Sequence, residues 1–265
     1  MATEIPAARL ERLRELVDRR GVVSLKQAQE ALDVSVMTVR RDFAALEELG
    51  VVRRTRGGVV GVGRVVPDTS YADRKDREVD AKSTIGRAAA GLVEDGDTIF
   101  LSGGTTCLAM ARALASTKGV TVVTNSLDAL AVLVPMPELT VIGTGGHASG
   151  RNNDMTGPVA ESMIAGLRAT KAFIGASGLT PDGVFNADLG RASIDRVMSE
   201  AANETVVLSD HTKIGASAFA LVTALSGVDS VVTDKTLRKA EREWLTAEDV
   251  SVLVARAGTR LDDAG

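Results

Sequence analysis

Two stretches of the chain carry residues whose types and spacing can do chemistry. The first runs Val34-Ser35-Val36-Met37-Thr38-Val39-Arg40-Arg41-Asp42-Phe43 and is followed by Arg53, Arg54 and Arg56. Projected at about 100° per residue, Val36, Val39, Phe43 and Leu46 fall inward, whereas Met37, Thr38, Arg41 and Ala45 fall outward with Arg40 on the flank. An outward arginine near a helix N-terminus can donate two hydrogen bonds to a guanine edge, and Thr38 or Met37 can touch a thymine methyl group. Arg40, Arg53, Arg54 and Arg56 suit backbone phosphates, and Ser35, the expected N-cap, belongs to the same nucleic-acid-facing set.

The second stretch is Ser102-Gly103-Gly104-Thr105-Thr106, a small-residue turn after a β-branched run and before a helical one. Such a turn aims free backbone N–H groups and two hydroxyls at an anion, assisted by the helix dipole, although tight strand-to-helix turns also need glycine for steric reasons alone. Asn125, Ser126, Gly145, Gly146 and Lys213 follow other strands and are expected to converge on the same pocket, with Lys213 supplying countercharge. The only histidines are His147 and His211 and the only cysteine is Cys107, so no metal-ligand spacing appears, and no Gly-x-Ser-x-Gly elbow is present. Neither a metal nor an organic cofactor is expected.

The elements that must position these residues are legible in the periodicity. Leu10, Leu13, Leu16 and Val17 predict a helix over Ala7 to Arg19, Leu25 to Leu32 a second, and the stripe after Ser35 a third that ends at Gly50. Val51 to Val60, with paired glycines at its centre, predicts a small hairpin, so residues 1–60 read as a winged helix-turn-helix. Residues 61–70 read as a linker. A helix is expected over about Tyr71 to Leu92. Beyond it, β-branched runs at Thr98–Leu101, Val120–Thr124, Leu139–Ile142, Ala172–Ile174, Thr205–Leu208, Ser230–Thr233 and Val250–Val254 alternate with helical stretches. Residues 71–265 therefore predict a Rossmann-like α/β domain with a mostly parallel sheet, whose ligands bind at the carboxyl ends of its strands.

With 265 residues, 45% of them hydrophobic, the chain can build two cores. The net charge of −4 shows no global preference for nucleic acid, but the first 58 residues hold 11 basic and 9 acidic side chains, leaving 20 and 26 for the remainder. The start lacks the basic and apolar regions of a secretion signal and no apolar run approaches membrane-spanning length, so a cytoplasmic protein with no membrane partner is expected.

The string from Val34 to Phe43, with Leu46-Glu47-Glu48-Leu49-Gly50-Val51-Val52-Arg53-Arg54 and Gly57-Gly58, closely resembles the DeoR family of bacterial regulators. The resemblance continues through Lys82-Ser83-Thr84-Ile85-Gly86, Asp95 to Leu101, Gly104-Thr105-Thr106, Val123 to Ser126, Gly145-Gly146, Phe173-Ile174-Gly175 and Asp210-His211-Thr212-Lys213. It implies a sensor domain related in fold to ribose-5-phosphate isomerase and a phosphorylated sugar as effector. Two departures stand out. Many members carry Asp where Ser102 stands, and a Glu-Ala and Lys-Arg arrangement where this chain has Arg191-Ala192 and Asp195-Arg196. The plain expectation for the latter is a polarity-reversed surface pair at i, i+4; the alternative is a changed effector pocket.

These observations predict a sequence-specific DNA-binding regulator, a repressor of carbohydrate-metabolism genes relieved by a phosphorylated sugar. As a homodimer or homotetramer it would read a double-stranded operator arranged as an inverted repeat. The alternative is a sugar-phosphate isomerase-like enzyme with an appended DNA-binding domain. General acid/base isomerisation needs a carboxylate within reach of the substrate, and Ser102 in place of Asp argues against it. A third possibility is an interaction module whose pocket is vestigial.

Overall fold

The computed structural model describes residues 6–20, 22–49, 52–55, 57–61, 65–66, 69–114 and 117–256. Its first part contains α1 (Pro6–Arg20), β1 (Val22–Ser24), α2 (Leu25–Leu32), α3 (Val36–Glu48), β2 (Val52–Thr55) and β3 (Gly58–Gly61). Leu13, Leu16 and Val17 of α1 pack with Ala28 and Leu32 of α2 and with Val39, Phe43 and Leu46 of α3 in one apolar cluster. Reciprocal capping starts α2: Gln27 N–H donates to Ser24 Oγ at 3.2 Å, and Ser24 N–H donates to Gln27 Oε1 at 2.9 Å.

The predicted hairpin is β2 and β3, but β1 adds a third strand, antiparallel to β3 in the order β1-β3-β2. A three-residue strand that follows Gly21 and ends on the capping Ser24 is too short to show a period, which is why periodicity misses β1. At Gly58 a Cβ would lie 2.1 Å from Val23 O, so glycine is what lets the two strands meet. A second difference concerns Val36, which is 38% exposed rather than turned inward. The inward carboxylate is instead Asp42, bound by Arg9 through Nε at 2.6 Å and Nη2 at 3.0 Å, which ties α1 to α3.

The second part begins with β4 (Val65–Val66), α4 (Tyr71–Lys75) and α5 (Val79–Ala90), and continues with β5 (Thr98–Leu101), α6 (Thr105–Ala113), β6 (Val120–Thr124), α7 (Leu127–Leu133) and β7 (Leu139–Gly143). The short pair β8 (His147–Ser149) and β9 (Asp154–Thr156) precedes α8 (Pro158–Ala165), β10 (Ala169–Gly175), β11 (Gly178–Thr180), β12 (Gly183–Asn186) and α9 (Leu189–Glu200). The remaining elements are β13 (Ala202–Leu208), β14 (Ser217–Ala218), β15 (Ala220–Thr223), β16 (Ser230–Thr233), α10 (Lys239–Thr246) and β17 (Ser251–Val254).

All seven predicted strands assemble into one sheet in the order β17-β16-β13-β10-β5-β6-β7, and every adjoining pair is parallel. Its residues alternate between two apolar layers. Ile99, Leu101, Phe173, Val206, Leu208 and Val232 face α5, α6 and α7, whereas Phe100, Ala172, Ile174, Val207 and Val231 face α8 and α9. Burial on both faces explains why these strands read as continuous apolar runs. A separate antiparallel sheet, β11-β12-β15, was not legible from periodicity and adds Leu179, Val184 and Val222 to the second layer.

The single helix expected over 71–92 is instead two helices, broken where Glu78 takes a left-handed φ of 49°. Lys82 Nζ donates back across the break to the carbonyls of Arg74 and Arg77 and holds the turn. Upstream, β4 pairs in parallel with β14, so the connector lies along the α/β domain. Among the described residues no helix is long and apolar enough to cross a membrane.

Candidate functional site

The outward face of α3 carries Met37, 73% exposed, with Arg40 and Arg41 exposed and Thr38 half-buried. Ser35 Oγ accepts from Thr38 N–H at 3.2 Å and lies 3.0 Å from Thr38 Oγ1, so it starts the helix and restrains the first residue of that face. Arg54 is exposed on β2, and its backbone N–H donates to Glu47 Oε1 at 2.9 Å, joining the wing to α3. Arg53 lies on the same strand, its backbone paired with Val60. Arg56 lies outside the described residues.

In the parallel sheet the chain leaves β5 in one direction towards β6 and β7, and in the other towards β10, β13, β16 and β17. The crevice between the carboxyl ends of β5 and β10 is thus the topological switch point. A cavity of about 430 Å³ opens there, with Gly103 to Cys107 on one side and Gly175 to Ser177 on the other. Gly104 caps α6 at a φ of 118°, and a Cβ on it would lie 2.8 Å from Arg191 Nη2, so only glycine brings backbone and guanidinium this close. The first helical bond of α6 is Leu108 N–H to Gly104 O, which leaves the N–H groups of the preceding residues without intrahelical acceptors beside the cavity. Cys107 also lines it, but burial pushes its thiol up to about 12, so at neutral pH it is no nucleophile.

The wall is cationic. Arg74, Arg77, Lys82, Arg191 and Lys213 face it, against Glu78 and Asp210. Lys213 is half-buried and is positioned by its own backbone, its N–H on Asp210 O at 3.0 Å and its carbonyl accepting from Leu179 N–H at 3.0 Å. Asp210 accepts from Thr212 N–H at 3.0 Å, which closes the loop.

Beneath the Gly103 turn lies a buried charged network. Arg191, 5% exposed, sits with Nε 3.0 Å from Asp154 Oδ2, and its Nη2 donates to Gly103 O at 3.0 Å. Asp195, 1% exposed, accepts from Ser102 Oγ and from Asn186 Nδ2, the latter at 2.9 Å. The expected surface pair of residues 191 and 195 is therefore corrected: both are buried, and each has a different partner. Burial raises the Asp154 carboxyl above the ordinary range and Arg191 opposes this; burial likewise raises Asp195, to about 6.

Of the residues predicted to meet an effector, Gly103, Gly104, Thr105, Thr106 and Lys213 line the cavity. The others stand behind it or away from it. Ser102 is buried on Asp195, and Asn125 Oδ1 accepts from Gly103 N–H at 2.9 Å while its Nδ2 donates to Met155 O at 3.0 Å. Ser126 caps α7, accepting from Ala129 N–H at 3.2 Å. Gly145 and Gly146 form the exposed turn after β7. Sequence reasoning did not assign Arg74, Arg77 or Lys82 to the pocket, and it offered Arg191 there only as the alternative to a surface pair. A signal existed for two of them: Lys82 shares the buried stripe of α5 with Ile85, Gly86 and Ala89, and Arg191 and Asp195 share that of α9 with Met198. A charge on an apolar stripe needs a partner or a purpose.

Comparison with known proteins gives a consistent picture. Residues 9–64 match the DeoR-like helix-turn-helix domain and residues 77–235 the DeoR C-terminal sensor domain. The chain is 34% identical over 252 residues to the uncharacterized HTH-type transcriptional regulator YgbI of Escherichia coli K12, covering 95% of this chain and 99% of the relative. It is 30% identical over 247 residues to the HTH-type transcriptional repressor CsqR of the same organism, covering 93% and 94%. Among solved structures, ribose 5-phosphate isomerase A of Methanocaldococcus jannaschii superposes with a TM-score of 0.38 at 21% identity, over 51% of this chain and 54% of that one.

Proposed function

The chain belongs to the DeoR family of transcriptional regulators, and from that premise we propose that it represses carbohydrate-metabolism genes and is released from its operator by a phosphorylated sugar. Its relatives are transcriptional regulators and repressors, and it is a DNA-binding regulator rather than an enzyme. In this reading Arg41, Thr38 and Met37 meet base edges in a major groove, and Arg40, Arg53, Arg54 and Arg56 meet phosphates. The protein acts in the cytoplasm on an inverted-repeat operator.

The observation that carries the effector reading is the cavity at the switch point, where the start of α6 and a predominantly cationic wall face the same space. A phosphate monoester carries about −1.5 to −2 charge at neutral pH and three acceptor oxygens, which matches unpaired N–H donors, the Thr105 and Thr106 hydroxyls and the Lys213 ammonium. The sugar hydroxyls then select among phosphates. Release requires the effector to bind the non-DNA-binding conformation more tightly, because equal affinity for both shifts nothing.

The test is operator binding titrated in parallel with sugars and their phosphates. Wild-type protein should respond to a phosphate ester and ignore the parent sugar. Thr106→Val and Lys213→Ala should bind operator normally yet resist release, each losing about 1.5–3 kcal/mol of effector affinity. Equal potency of sugar and phosphate, or normal release of both variants, would overturn the assignment.

A further inference from the structure

The least explained cation on the cavity wall is Lys82. It is 7% exposed, stands on the buried stripe of α5, and lines the cavity. An ammonium has three N–H donors, and two are accounted for by the carbonyls of Arg74 and Arg77. Both partners are neutral. Among the described residues Lys82 forms no ion pair, and the carboxylate that acts on it most is Asp210 across the wall. Burial therefore lowers its pKa from the ordinary lysine value, and Asp210 opposes that only in part. A buried positive charge held by two dipoles, with a third donor beside an open cavity, is a binding position for an anion.

The partners of that nitrogen matter as much as its charge. Arg74 lies in the last turn of α4, the helix that follows the linker from the DNA-binding domain, and Arg77 lies in the turn between α4 and α5. This connector is itself part of the pocket, since Val66, Thr69, Arg74 and Arg77 line it. Among the described residues it meets the α/β domain through β4 on β14, Tyr71 N–H on Arg151 O at 3.0 Å, and Arg74 Nη2 on Asn152 Oδ1 at 2.9 Å.

We infer that Lys82 is an effector-binding residue whose ammonium is shared between an anionic group in the cavity and the Arg74 and Arg77 carbonyls at the end of α4 and in the turn after it, so that ligand and interdomain connector are held by one nitrogen. The inference rests on the reading of the cavity as an effector pocket. An anion that draws on Lys82 changes how strongly residues 74 and 77 are held, and the connector feels occupancy directly, without a relay through the sheet.

The experiment uses full-length protein and inorganic phosphate as probe, at constant ionic strength with chloride as control. Affinity is read from thermal shift, and the connector from amide hydrogen exchange of residues 70–78. Wild-type protein should be stabilised by phosphate and should change exchange in that segment. Lys82→Met should bind phosphate about tenfold or more weakly and show no exchange response even at saturation. Lys82→Gln, which keeps donors for the carbonyls without the charge, should behave likewise and guards against loss of folding in the first variant. Lys213→Ala should also bind more weakly but keep the exchange response at saturation. Wild-type affinity in both Lys82 variants, or weakened affinity with the 70–78 response intact, overturns this inference alone. Absence of any phosphate effect on wild-type protein overturns the pocket reading and this inference with it.

Discussion

Asp195 shows what one buried side chain contributes to the behaviour of the pocket floor. Burial raises its carboxyl from 3.8 to about 6, against the opposing effects of Arg191 and of hydrogen bonds from Ser102 and Asn186. In the unfolded chain the group titrates near its ordinary value, so between about pH 4 and pH 6 the native state holds a proton that the unfolded state has lost. Its contribution to stability is thus largest below that window, declines as pH rises through it, and is level above. Two pKa units correspond to about 3 kcal/mol. Asp195→Asn removes this titration and keeps an oxygen for Asn186 Nδ2. Urea unfolding across the window should therefore show a flatter pH dependence for the variant than for the wild type, not a flat one, because Asp154 is raised in the same direction and remains. Identical slopes would show that Asp195 is already ionised at the lower pH.

Two elements divide the expected work on DNA. On α3 the exposed guanidinium of Arg41 stands one turn after Thr38 and near Met37, whereas Arg54 projects from β2, a strand that reaches α3 through Glu47. Arg41→Ala should cost about 1–3 kcal/mol on the specific operator and relax selectivity at one base pair, as the loss of a base-edge contact does. Arg54→Ala should weaken all sequences alike and reduce the slope of log affinity against log salt by about 1. Fluorescence anisotropy on a selected operator, its single-base variants and a salt series separates the two. Unchanged base preference in Arg41→Ala would remove α3 from base recognition. The part-buried Arg9–Asp42 pair ties α3 to α1.

For the molecule as a whole, one winged helix-turn-helix covers a half-site, and two-fold symmetry lets two copies read an inverted repeat. An even-numbered assembly is the expected state, with the interface on the α/β domain, because the three helices and three short strands of the first part already use their apolar faces on one another. Sedimentation equilibrium with and without operator duplex should give a dimer or tetramer that binds a full operator as a unit. A monomer that binds the full operator tightly would count against it.

What the sequence determined by itself was local. The apolar stripes of α1, α2 and α3 encode a period of 3.6, and the hairpin glycines and the seven β-branched runs mark a turn and buried strands, each within a few residues. Gly103 and Gly104 were legible for the same reason, since a turn from strand to helix is a local event. Strand order is not local. It places β5 beside β10, and so brings Gly104, Arg191 and Lys213 to one cavity from positions far apart in the chain. Nor could periodicity show that Lys82 would reach back across the break at Glu78 to the carbonyls of residues 74 and 77, or that Arg191 would pass over its neighbour on α9 for Asp154. Only the packed fold decided those partnerships, the near one of Lys82 and the distant one of Arg191, because a charge placed on a buried stripe must satisfy itself with whatever group burial leaves within reach.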